Sequence, residues 1–165
     1  MKFSISALFA LAIAAPAYAA VARTDRNTTT PATWLSIEEG ITYKNSTELV
    51  ARAGTEVVTC YNSGTKADRA PIVSVIDNWC ARVIGSRVQN GQTVWARYNY
   101  GSFTIFVSGA AINGGSFVID GNCNRLLRLP VDSCNTGGVN GKQGGYETDL
   151  FGQWRTDPGS KGSDQ

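Results

Sequence analysis

At 165 residues, with 42% hydrophobic and 17% charged side chains, the chain has the size and balance of one small globular domain. Its formal net charge of +2 comes without any block of Lys or Arg, so the electrostatic footprint of a nucleic-acid-binding protein is missing. It has no histidine, which removes Ser-His-Asp and Cys-His hydrolases, His-pair ribonucleases and most zinc sites.

Residues 1–19 read as a signal peptide. Lys2 supplies the positive start, "ISALFALAIAA" the apolar stretch and Ala17-Tyr18-Ala19 a small-x-small cleavage site. The apolar run is too short to cross a bilayer of roughly 30 Å, and no other long apolar run follows, so stable membrane insertion is not expected. Cleavage after Ala19 removes Lys2 and takes the formal charge from +2 to +1, leaving a nearly neutral secreted, extracellular chain. Residues 20–33 are polar and Thr-rich and form a flexible leader. Sequons for N-glycosylation stand at Asn27 and Asn45.

A single α/β domain is expected over residues 34–156, followed by a disordered tail over 157–165. Its first segment, "WLSIEEGITYKNSTELV" (34–50), fits either a short helix or an extra edge strand. "EVVTCY" (56–61) has strand-type residues. In "APIVSVIDNWCARVIG" (70–85) Pro71 sits in a first turn, Gly85 stands at the end, and Ile72, Ile76, Trp79, Cys80 and Val83 recur at helical spacing. Strands over 93–100 and 102–112 meet at a tight turn around Tyr100 and Gly101. "IDGNCNRLLRLPVDSC" (119–134) opens on an Asp/Asn-rich cap and carries Cys123, Leu126, Leu127 and Leu129, with Pro130 placed to kink or end the helix. "GYETDLFGQWR" (145–155) completes the domain as a last strand.

The order is β-α-β-β-α-β, the split, ferredoxin-like α+β sandwich in which two helices cover one face of an antiparallel sheet. Cys60, Cys80, Cys123 and Cys134, an even count in an exported chain, read as two disulfides. Their spacings of 20, 43 and 11 residues contain no C-x2-C cluster, and no metal or other cofactor is implied. In the split arrangement the first strand and the second helix finish at the same end of the sheet. The first helix finishes at the other end, where the second begins. Because a disulfide needs Cα atoms within about 7 Å, this favours Cys60–Cys134 and Cys80–Cys123.

The glycine-rich stretch "CNTGGVNGKQGG" (134–145) invites a phosphate-binding reading, which its spacing does not support. A P-loop needs a Gly five residues before the Gly-Lys pair and a hydroxyl after the Lys, whereas here Gly138 stands only three residues before Gly141 and Gln143 follows Lys142. Asn135 and Gly137 suit a helix C-terminus, so the stretch is a reversal from the second helix into the last strand. Together "CNRLLRLPVDSCNTGGVNGKQGGYETDLFGQWRTDPGS" resembles a C-terminal pattern of small secreted fungal proteins and of accessory regions of some fungal chitinases. In that pattern a cysteine stands three residues before the Trp. Phe151 stands there in this chain, which implies that one family disulfide is absent. The predicted topology is also similar to that of secreted killer toxins and of plant-pathogen effectors. The resemblance implies secretion and this scaffold, and it attaches no catalytic residue.

With the cysteines in bridges, catalysis is left with carboxylate pairs of the glycosidase kind. Glu38 and Glu39 read as solvated neighbours, and Glu147 and Asp149 as the wet side of a strand. A sugar-stacking surface would draw on Trp34, Trp95, Trp154, Tyr61, Tyr98, Tyr100 and Tyr146; Trp79 belongs to the helix stripe and the core. Trp95 and Tyr98 fall on opposite strand faces, so at least one packs inward. The expected function is a non-enzymatic, effector-like module contacting a host or co-secreted protein, with Arg97 and Tyr100 as surface probes. Chitin or glucan binding and killer-toxin-like membrane activity are the alternatives. The oligomeric state is left open.

Overall fold

The computed structural model describes residues 33–44 and 54–159. The signal peptide (1–19), nearly all of the leader and both sequons, Asn27 and Asn45, lie outside the described residues. The elements in chain order are β1 (Ser36–Tyr43), β2 (Val57–Cys60), α1 (Arg69–Val83), β3 (Arg87–Val88), β4 (Gln92–Asn99), β5 (Thr104–Ala111), β6 (Phe117–Val118), α2 (Cys123–Ser133), β7 (Gly145–Thr148) and β8 (Gly152–Gly159). Six strands form one antiparallel sheet in the order β1-β4-β5-β8-β7-β2, and β3 and β6 form a separate two-stranded ribbon.

The α+β class, the two helices and the antiparallel sheet are as the sequence predicts, but the four-strand layout is corrected. Segment 34–50, undecided in the sequence, supplies the edge strand β1. Segment 145–155 is two strands, because the Asp149 carboxylate accepts the backbone N–H groups of Phe151 and Gly152 at 2.9 and 2.6 Å and turns the chain back on itself. β2 pairs antiparallel with β7, and β7 with β8, so β2 and β8 run the same way. The slot beside β5 goes to β8, and β2 takes the sheet edge beyond β7. β8 also continues to Gly159, opposite Thr104, so residues 157–159 belong to the sheet and not to a tail.

α1 starts with Pro71 in its first turn, where the missing N–H costs no helical bond. Its buried stripe of Ile72, Val75, Ile76, Trp79 and Cys80 follows helical spacing. α2 continues through the buried Pro130 for one more turn, closing with Cys134 N–H donating to the Pro130 carbonyl at 3.1 Å. Both helices lie on one face of the sheet. Tyr98 of β4 donates its hydroxyl to Asn78 of α1 at 2.8 Å, and Thr156 of β8 donates to the Leu127 carbonyl of α2 at 2.9 Å. Tyr98, Ile105, Val107, Trp154 and Thr156 share that face by register. All of these but Thr156 join the helix stripes, Val88 and Ile119 in a single core.

Both disulfides pair as the topology favours. Cys60–Cys134 ties β2 to the end of α2 with Cα atoms 5.6 Å apart, and Cys80–Cys123 ties the end of α1 to the start of α2 at 5.8 Å. The glycine-rich loop is a structural clasp. Asn135 takes a left-handed φ of 51°, and its side chain accepts the Gln143 backbone N–H at 2.9 Å. Lys142 is buried, and its Nζ donates to the Cys134 and Asn135 carbonyls at 3.3 and 3.0 Å. A cation at the C-terminal end of a helix answers the unpaired carbonyls and the negative end of the dipole. The lysine that suggested phosphate binding caps α2.

Candidate functional site

Strand parity sorts the singled-out residues. Along β4, Tyr98 points into the core and is fully buried, while Trp95 and Arg97 point to the opposite, outer face. Phe106 of β5 stands directly opposite Arg97, and Arg155 and Asp157 of β8 share the same side, as do Tyr146 of β7 and Glu38 of β1. Neither helix packs on this face.

The outer face carries a ladder of aromatic rings and guanidinium groups. Trp95 and Phe106 stack with centroids 5.9 Å apart and planes 22° from parallel. The Arg97 guanidinium lies 5.9 Å from both ring centroids, and that of Arg155 lies 5.2 Å from Phe106 and 5.5 Å from Tyr61. Tyr61 contacts Tyr146 at 6.3 Å. Each cation is balanced: Arg97 reaches Glu38 at 3.3 Å, and Arg155 reaches the buried Asp157 at 2.5 Å. Burial pushes the Tyr61 hydroxyl up to about 12, so the ring stays neutral. Gly40 of β1 makes room for the ladder, since a Cβ there would stand 2.8 Å from the Trp95 ring. The face is amphipathic, charge-compensated and half-buried.

The remaining candidates are elsewhere. Trp34 packs edge-on against Tyr98 at 5.0 Å, Tyr100 stacks on Phe103 at 4.8 Å, and Trp154 is buried under α2, so none of these joins the ladder. Trp79 is fully buried in the core. Glu38 and Glu39 are not simply solvated: Glu38 pairs with Arg97 on the outer face and Glu39 with Arg82 on the helix side.

Glu147 and Asp149 correct a second expectation. Glu147 is fully buried on the helix side of β7, opposite Trp154, and neither carboxyl oxygen has a hydrogen-bond partner. Burial raises its pKa to about 7, with Asp149 and Glu56 adding to the rise and Arg125 opposing it. Asp149 instead caps the β7–β8 turn. Next to them a cleft of about 390 Å³ is floored by Trp154, Phe117 and Leu126 and rimmed by Glu56, Arg125, Asp120 and Asp149. Glu56 and Arg125 hold each other in a fork at 2.6 and 2.9 Å, which keeps the Glu56 carboxyl below its ordinary range.

Sequence reasoning named Trp95, Arg97, Tyr61 and Tyr146 but missed Phe106 and Arg155. The alternation along 93–100 and 102–112 carries the signal for Phe106. Arg155 needed the turn at Asp149 to set its parity.

Among the described residues no helix is long and apolar enough to cross a membrane, and no group of three or more His, Cys, Asp or Glu side chains could hold a metal ion. Fold and site together define a small, disulfide-pinned two-layer α+β protein with an open aromatic–arginine face. Comparison with protein-family models, curated proteins and solved structures finds no match.

Proposed function

We propose that this protein is a secreted, non-enzymatic interaction module of the effector-like kind that docks a host or co-secreted protein on its open sheet face. The observation that carries this is the Trp95–Phe106–Arg97–Arg155–Tyr61–Tyr146 ladder. Trp, Tyr and Arg dominate binding hot spots because they offer large, stiff contact areas with polar tips. Internal neutralisation by Glu38 and Asp157 fits a protein partner better than a polyanion. The rings already hold guanidinium groups over their faces, which leaves little flat area for sugar stacking.

The test is capture of partners from host and culture extracts with the wild-type chain and with Trp95→Ala and Arg97→Ala. A partner held by the wild type and lost by both variants, at unchanged thermal stability, supports docking on this face. Retention by both variants sinks it. Carbohydrate binding is the second reading, favoured by the aromatic-floored cleft with its polar rim. Binding to chitin or β-glucan that survives Trp95→Ala but fails in Asp120→Ala would place it there. Liposome leakage would bring back the killer-toxin-like alternative.

A further inference from the structure

β1 closes one side of the six-stranded sheet, and its outer edge meets no other strand among the described residues. Natural edge strands of this length are normally guarded by Lys, Pro, a bulge or a cover. β1 runs for eight residues in unbroken register with β4 and contains no proline. Its two charges, Glu38 and Glu39, are engaged by Arg97 and Arg82 of the same molecule. Ile41 and Tyr43 are 55% and 74% exposed.

Hydrogen-bond parity shows which backbone groups turn away from β4. Tyr100 N–H bonds the Phe103 carbonyl at 2.9 Å in the β4–β5 register, so even-numbered residues of β4 bond β5 and odd-numbered ones bond β1. Their partners on β1 are Ser36, Glu38, Gly40 and Thr42. Ile37, Glu39, Ile41 and Tyr43 therefore turn their N–H and C=O groups outward, in the spacing a further antiparallel strand needs.

We infer that this edge pairs with β1 of a second copy of the chain, antiparallel and about a two-fold axis at Ile41. That register sets Ile41 opposite Ile41, Glu39 opposite Tyr43 and Gly40 opposite Thr42. It also sets Lys44 opposite Glu38 on the outer face, twice, in the closer, non-hydrogen-bonded kind of pair where cross-strand charges meet best; the Glu38 side chain is 66% exposed and can take Lys44 beside Arg97. An axis at Glu39 would oppose Glu39 to itself, and an axis at Gly40 would set Glu39 against Ile41 and leave Lys44 opposite Ser36. The two-fold pairing leaves both outer faces on the same side of one continuous sheet. Two aromatic–arginine ladders would then lie side by side, with Trp95 of each copy over Gly40 near the axis. Pairing uses the strand edge and not the ladder, so it stands or falls separately from partner docking.

Sedimentation of the purified chain over a concentration series is expected to show a reversible dimer. Lys44→Glu, which sets like charges opposite one another, should raise the dimer dissociation constant on the order of tenfold. Under mild oxidation Ile41→Cys should give a covalent dimer through residue 41, since facing Cα atoms in a hydrogen-bonded pair stand about 5.5 Å apart, within disulfide range. Glu39→Cys should not. A chain that is monomeric at every concentration, or that cross-links through residue 39 as readily as through residue 41, overturns the inference.

Discussion

A carboxyl buried with neither oxygen hydrogen-bonded favours its protonated form, and Glu147 keeps its proton until about pH 7, against 4.5 for an ordinary glutamate. Between those two values the folded chain holds a proton that the unfolded chain has lost. Stability therefore falls as pH rises through this window and levels off above it, by about 3 kcal/mol if Glu147 acts alone. Glu147→Gln keeps the shape without the titration, so urea midpoints for that variant should lose the decline between pH 5 and pH 8. An unchanged slope would assign the effect to other groups. Lys142 offers a second residue-level test. Lys142→Met retains the apolar stem but strips the cap from the Cys134 and Asn135 carbonyls, at an expected cost of about 1.5–3 kcal/mol in urea unfolding. A stability loss of the same size with and without added phosphate would separate a cap from a ligand site. Glu147 illustrates why a buried acid is hard to see in sequence: its alternation with Asp149 matches a wet strand face, and only the turn at Asp149 shows that the two residues have different surroundings.

At the scale of elements, local chemistry explains most of what the chain builds. The stripe in α1, the left-handed Asn135 and the turn at Gly101, whose φ is 88°, are visible as residue types at set spacings. The entry to β7 depends on a glycine for a reason the sequence does not show. Gly144 has φ 78°, and a Cβ on it would stand 2.1 Å from the Thr156 carbonyl oxygen of β8. Gly144→Ala should therefore cost more than about 3 kcal/mol, combining backbone strain with a collision against main chain that cannot rotate away. A thermal melt within a degree or two of wild type would refute that. The β3–β6 ribbon went unpredicted because two residues on each side are too few for any period to register. The hairpin within 145–155 was hidden by its apolar Leu150-Phe151, which does not look like a turn until Asp149 is seen capping the backbone.

For the whole molecule, the two bridges connect α2 at both ends, one to β2 and one to α1, closing segments of 74 and 43 residues. By loop entropy each should contribute about 4 kcal/mol, so Cys80→Ala/Cys123→Ala and Cys60→Ala/Cys134→Ala are expected to lose similar amounts in denaturant unfolding. A loss confined to one pair would show that the other constrains little. The bridges also fit an oxidising compartment, in keeping with the expected export. By itself the sequence determined the α+β class, both helices, most of the strands and the structural nature of the glycine loop, and it favoured the pairing of the cysteines, because these rest on periodicity, capping chemistry and which element ends can meet. Tertiary structure alone decided the strand order, the burial of Glu147 and the assembly of the outer ladder. Each of these depends on the direction and register of segments far apart in the chain. Once Asp149 folds the last segment into a hairpin, β8 claims the place beside β5, β2 is sent to the edge, and Arg155 arrives beside Phe106.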